Sequence, residues 1–393
     1  LCVADLAVVI EQANQADAIM GKMVAPKLAS EPLGEISYDT SFIDQIVHAY
    51  QFDLLGNRYL EQAASYADEF NRGGAKAKSP ELLTFEDAFL AEYQFTVEHV
   101  VQLGQAIVNE AETATEHVLA WPRSKFCAFI METVGLSATD AGRLIDEFRL
   151  FPRSGFDRDV PAEMRKSEVY PWVYRRRMSL LWRPFVQIDG TADPVFLLGG
   201  DFVRRAVKHR LDNLYRGMLD AERFASGKMR AYIGDVANKR GAQFNSLVLD
   251  EVRKLGLFAE AEVELTTLGS PAQGTDGRGW GDVDVLAFDA RKKLVHACEC
   301  KALMEARSVA EIVGQLTDFS GDRDDLLGRH LRRVDWLKHN LPTAGKALGH
   351  DFSDCRLKHW VVSSKVVPMQ YRLVHNIDYR RFLQFSEIKE ALG

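Results

Sequence analysis

Apolar residues recur at helical spacing through the first part of the chain. Phe42, Ile46, Tyr50, Leu54 and Leu55 fall along one side of a helix predicted over 41–70, which Arg72-Gly73-Gly74 ends. Residues 84–119 predict one long helix, stopped by Trp121-Pro122. Ser137, with Asp140 three residues on, opens another in the manner of a capping box. The pattern then changes. Residues 186–198, with turns at Asp189-Gly190 and Asp193-Pro194, predict a hairpin, and 202–219 a helix. A helix opening at Gly241 carries Leu247, Val248, Val252 and Leu255 as its apolar stripe, and 258–265 reads as a strand. Residues 283–288 and 294–300 read as strands around the polar turn Asp289-Ala290-Arg291-Lys292-Lys293. Beyond them the pattern predicts helices over 309–319 and 329–338, a last core strand over 357–367, and a closing helix over 379–392.

This order predicts a multidomain protein. A mainly α region spans 1–150, a basic and aromatic segment 151–235, and an α/β domain with a central mixed sheet flanked by helices 236–393. The net charge of −7 hides an asymmetry. Residues 1–150 hold ten Lys and Arg against twenty-three Asp and Glu, a net of −13, which leaves +6 for the rest. A positive C-terminal part fits a phosphate backbone. The acidic N-terminal part points instead to a protein partner or self-association. No run of apolar residues is long enough to span a membrane. Five scattered cysteines suit a reducing cytoplasm, and Cys298 and Cys300 read as small core residues rather than zinc ligands.

The chemistry concentrates in the second hairpin. Side chains alternate along a strand, so Val295, Ala297, Glu299 and Lys301 share one face, and Leu294, His296, Cys298 and Cys300 the other. If the turn is centred between Arg291 and Lys292, the numbers of paired residues sum to 583, and Asp284 faces Glu299. Two carboxylates about 5 Å apart at Cβ repel unless a cation lies between them. Lys301 supplies one charge. A hard divalent ion, Mg²⁺ or Mn²⁺, would supply the rest, because such ions accept one or two carboxylates plus waters and phosphate oxygens. The residues around these charges are apolar, as in a covered sheet, where unpaired charge is expensive.

The motifs resemble the PD-(D/E)xK, or restriction-endonuclease-like, nucleases, in particular the branch of Mrr-type restriction enzymes and Holliday-junction resolvases. Gly241-Ala242-Gln243-Phe244, then Gly281-Asp282-Val283-Asp284-Val285-Leu286-Ala287, then Glu299-Cys300-Lys301 and a helix follow that branch's order over roughly residues 238–370. The resemblance implies Mg²⁺-dependent hydrolysis of nucleic-acid phosphodiesters, with Asp284 and Glu299 as ion ligands and Lys301 as the catalytic lysine. It favours DNA over RNA and a role in restriction or phage defence. It also draws attention to Gln315, on the helix where some relatives place a polar active-site residue. The chain departs from the family at Asn245, where a glutamate often stands. Glu262, Glu264 and Asp282 are candidates to replace that acid, and a catalytically degenerate nucleic-acid-binding or scaffold module is the alternative reading.

Two basic stretches could grip a phosphate backbone. Tyr170-Pro171-Trp172-Val173-Tyr174 runs into Arg175, Arg176 and Arg177, joining aromatic faces to charge. The helix over 329–338 offers Arg329, Arg332, Arg333 and Lys338, with Leu331, Val334 and Leu337 expected on its buried side. No base-reading motif appears.

Overall fold

The computed structural model describes residues 27–28, 36–37, 43–54, 80–114, 117–154, 158–162, 164–169, 176–271, 279–306, 309–322, 324–371 and 378–393. Residues 55–70 of the first expected helix, Arg175 with its aromatic neighbours, and 272–278 lie outside them. The chain forms two compact units, Gly74–Lys239 and a second made of Leu1–Gly73 with Arg240–Gly393. This division differs from the three-part reading of the sequence.

In the second unit, β1 (Lys27–Leu28) pairs antiparallel with β2 (Ile36–Ser37). A π-helical stretch, Ile43–His48, continues as helix to residue 54. Ile46, Tyr50 and Leu54 recur every four residues, and all three are buried against Ile312, Leu316 and Phe319. An early stretch of chain thus completes the core of the C-terminal unit, a pairing that local pattern cannot announce.

The Gly74–Lys239 unit begins with α1 (Pro80–Tyr93) and α2 (Val97–Thr113), where the pattern predicted one helix. The break is local chemistry. Gln94 takes a left-handed φ of 64°, and Thr96 is extended and accepts from the His99 amide. The His99 ring accepts from the Thr96 amide in return, so a histidine closes the capping box. Residues 118–122, assigned to that helix or its stop, form β3 (Val118–Pro122), followed by α3 (Arg123–Val134) and α4 (Ala138–Phe148). Ser137 caps α4 through the Asp140 amide, as expected. Short β4 (Arg149–Leu150) precedes the expected hairpin, β5 (Phe185–Gln187) with β6 (Val195–Gly199). Asp189 stabilises its turn by accepting from the Thr191 and Val195 amides. These strands form a sheet in the order β3-β6-β5-β4, and α5 (Gly200–Tyr215) follows.

Helix α6 (Gly227–Lys254) starts fourteen residues before Gly241. Its Phe244, Val248 and Val252 are buried, whereas Leu247 is exposed, so the stripe is narrower than the sequence suggested. The remaining elements are β7 (Phe258–Glu264), β8 (Asp282–Asp289), β9 (Leu294–Lys301), α7 (Val309–Asp318), α8 (Leu326–Ala347), β10 (Arg356–Ser363), β11 (Phe382–Gln384) and α9 (Ile388–Leu392). The five strands lie in the order β11-β10-β9-β8-β7. β7, β8 and β9 form an antiparallel meander, and β10 and β11 add in parallel, giving a mixed sheet. Phe244, Val248 and Val252 of α6 pack with Val285, Ala287, Cys298 and Cys300. Leu337, Leu341 and Ala344 of α8 pack with Leu286, Val295 and Ala297. Alternate residues therefore meet different helices, and β9 is buried almost throughout, as a strand covered on both faces must be. The expected closing helix over 379–392 is mostly something else. Phe382 and Leu383 are both buried, but in different clusters, so the period there is two and the segment is a strand. Among the described residues no helix is long and apolar enough to cross a membrane.

Candidate active site

The ends of β8 and β9 set the geometry. Val285 pairs with Cys298, Leu286 with Ala297 and Ala287 with His296, so partners sum to 583 as expected. The pairing ends at Val285 with Cys298, one residue before Asp284 and Glu299. Asp284 Oδ2 accepts from the Cys300 amide at 2.7 Å. Lys301 Nζ lies 3.4 Å from that oxygen and 2.7 Å from Glu299 Oε1, bridging the two acids. Gly281 opens β8 with φ +72°, a left-handed conformation that a residue with a Cβ adopts only at a cost. Its Cα also faces Arg333 Nη1, which would stand 3.6 Å from an added Cβ.

Helix α8 completes the cluster with residues the sequence reading placed elsewhere or passed over. Arg333 was expected to grip a phosphate backbone. It turns inward instead, with 9% of its side chain exposed, and its Nη2 donates to Glu299 Oε2 at 2.8 Å. Its Nη1 donates to the Asp282 carbonyl. His330, fully buried one turn earlier, brings Nδ1 within 3.5 Å of the same Glu299 oxygen. That distance is at the outer limit, and neither ring nitrogen is hydrogen-bonded, so His330 is an electrostatic neighbour. The His359 ring on β10 lies 5.6 Å beyond. One signal was available. His330, Arg333 and Leu337 recur at i, i+3 and i+7, the same face as an apolar stripe.

These contacts set the charge states. Burial acts to raise the Glu299 pKa, but His330, Arg333 and Lys301 outweigh it and hold the carboxyl far below the usual range. Burial, with Glu299 close by, pushes Asp284 up, and Lys301 and the Cys300 amide only partly offset this. Burial disfavours the Lys301 ammonium, yet Glu299 and Asp284 carry its pKa above the usual value. Burial raises the Cys298 thiol to about 12 and the Cys300 thiol well above its usual value. Both sulfurs sit in the core on the α6 side, as small apolar residues.

The remaining candidates make contacts of their own. Asn245 is half-buried on α6, which packs against the Cys298 and Cys300 side of the sheet, whereas Glu299 meets α8. Gln315 on α7 donates to the Met304 carbonyl at 2.6 Å, and its Oε1 is buried without a hydrogen bond. Of the proposed substitute acids, Glu262 is exposed with φ 53°, and Glu264 is exposed and accepts from Thr266. Asp282 is near enough to raise the Asp284 pKa. Arg177 pairs with buried Glu168 at 3.6 Å, which also faces Arg223. Burial lowers the Arg176 pKa, with Arg153 adding to the effect. Arg329 and Lys338 are exposed, and Arg332 donates to the Gly279 carbonyl at 3.2 Å beside the Trp280 ring.

Among the described residues no group of three or more His, Cys, Asp or Glu side chains is arranged to hold a metal. Asp284 and Glu299 nevertheless offer hard oxygen donors, both within ion-pair reach of Lys301. This donor set fits a hard divalent ion that keeps most of its waters.

A family model described as anti-phage protein Upx-like matches residues 2–382, nearly the whole chain. Among curated proteins no relative matches. No solved structure matches either. The chain belongs to the family of Upx-like anti-phage proteins.

Proposed function

Because the chain belongs to the family of Upx-like anti-phage proteins, we propose that it acts in phage defence, and that it does so as a divalent-metal-dependent nuclease. The observation that carries this reading is the convergence of Asp284, Glu299 and Lys301 from neighbouring strands, with Lys301 within ion-pair reach of both acids. The order of elements supports it. A helix, an antiparallel meander carrying the acids and a further helix follow the order that the PD-(D/E)xK resemblance implies. Asp284 and Glu299 would hold Mg²⁺ or Mn²⁺. The ion, when bound, would polarise the scissile phosphate and lower the pKa of a bound water. Lys301 keeps its proton between two carboxylates, so it acts by orienting the attacking water and by facing the charge that develops on the phosphorus oxygens. DNA is the favoured substrate, on the resemblance alone. The alternative is a binding module that has kept the fold but not the chemistry. It is favoured by Glu299, whose two oxygens are already met by Lys301 and Arg333.

Single substitutions separate the roles. Lys301→Ala should lose cleavage by about 10²-fold or more while keeping ion binding, since lysine is not a ligand. Asp284→Asn should lose both. A Lys301→Ala protein that cleaves at the wild-type rate would overturn the assignment.

A further inference from the structure

Four charged side chains meet at the strand ends, and their sum decides how an ion can enter. Asp284 and Glu299 are balanced by Lys301 and Arg333. These four charges cancel, and they are mostly shielded from water, with 5% of the Glu299, 9% of the Arg333, 13% of the Asp284 and 25% of the Lys301 side chain exposed. A divalent ion added to it would leave two uncompensated positive charges in a poorly solvated site, which is expensive. Either a cation must withdraw or an anion must arrive. Arg333 is suited to exchange partners. It reaches Glu299 from α8 and not from the sheet, it meets a single carboxylate, and its Nε is buried without a hydrogen bond. Lys301, in contrast, bridges both acids from within β9. A phosphodiester carries one negative charge, and its paired oxygens match the guanidinium fork.

We propose that Arg333 is a counter-ion latch. Without nucleic acid it closes Glu299 against divalent ions, and a backbone phosphate entering the site takes the guanidinium and frees the carboxylate. The proposal rests on the nuclease reading and adds to it that ion and nucleic acid bind cooperatively. The reciprocity is thermodynamic: whatever factor the nucleic acid adds to ion affinity, the ion adds to nucleic-acid affinity.

The test is Mn²⁺ binding to the full chain, with free Mn²⁺ read by electron paramagnetic resonance. Arg333→Gln removes the latch charge and should bind Mn²⁺ at least about tenfold more tightly than wild type in the absence of DNA. Arg333→Lys keeps the charge and should stay near wild type. A saturating DNA duplex should tighten Mn²⁺ binding to wild type by a similar factor, and to Arg333→Gln by much less. If Arg333→Gln is folded by circular dichroism yet binds Mn²⁺ no better than wild type, the latch is wrong, and wild-type ion-dependent cleavage would leave the nuclease reading intact. If wild type binds no Mn²⁺ with or without the duplex, the nuclease reading fails and takes the latch with it. Should Arg333→Gln not fold, wild type decides alone: an Mn²⁺ affinity unmoved by the duplex overturns the proposal.

Discussion

Arg210 and Arg333 are buried guanidiniums on helices, one in each unit, and their surroundings differ in kind. Arg210 is 1% exposed and pairs with Glu147. Its guanidinium carbon lies 4.3 Å from the ring centre of Phe148, 5.0 Å from Trp182 and 5.1 Å from Tyr93. Its Nη1 also reaches the Glu147 and Trp182 carbonyls. Burial pushes the Tyr93 phenol up to about 12, so no second anion competes for the charge. Arg333 has one carboxylate, and that carboxylate also faces Lys301 and His330. A buried cation with an unshared acid inside an aromatic cage holds structure together. A buried cation whose acid is shared among several cations sits where charge can be rearranged, and such places are where chemistry is found.

The largest effect expected of this contrast falls on stability. Arg210→Ala should destabilise the Gly74–Lys239 unit by about 3 kcal/mol, through lost ring contacts, the cavity left among them and a stranded Glu147. Urea unfolding measures it, and a loss within about 0.5 kcal/mol, the scatter of surface substitutions, would break the comparison. Next comes Gly281→Ala, which forces a Cβ into left-handed backbone beside Arg333. It should cost about 1–2 kcal/mol and disturb the strand end that presents Asp284. An unchanged unfolding midpoint would show that the turn relaxes freely.

The smallest effect has the opposite sign. A carboxyl whose folded pKa is raised binds more protons folded than unfolded, so its ionisation costs stability as pH rises from the ordinary Asp range through the raised value. Asp284 is such a group. Asp284→Asn should therefore stabilise the ion-free protein near neutral pH, by roughly 0.5–1 kcal/mol, and the gain should vanish in acid. Glu299 behaves oppositely. Its pKa is depressed, so the stability it contributes is present above the ordinary Glu range and is lost as pH falls below it. Thermal melts of wild type and Asp284→Asn across pH resolve the two, and a neutral-pH loss for Asp284→Asn would contradict the charge assignment.

The hairpin was legible because its information is local. Period two fixed the faces of β9, a five-residue polar turn fixed the register, and a neutral pattern of small apolar residues marked a covered sheet. The Ser137 cap and the Asp189 turn were legible for the same reason. What failed was read over longer distances or at mixed signals. The break at Gln94 depends on a left-handed residue and a histidine cap, neither of which disturbs the apolar spacing on either side. Phe382 and Leu383 pack on opposite sides of a sheet edge that only β10 creates. Arg333 looked like a surface cation because its partner is 34 residues away on another strand. The packing of Tyr50 near Ala306, whose amide donates to the Tyr50 hydroxyl at 2.9 Å, joins residues 256 apart in the chain.

The central claim is that the strand ends form a metal-dependent phosphodiesterase, and the most direct measurement is cleavage itself. Purified chain is incubated with supercoiled and linear DNA in Mg²⁺ or Mn²⁺, with a chelator and with Asp284→Asn as the controls. Nicking or degradation that requires the ion and disappears in both controls is expected. No cleavage of any DNA or RNA form, together with no divalent-ion binding at millimolar concentration, would contradict it and promote the binding-module reading.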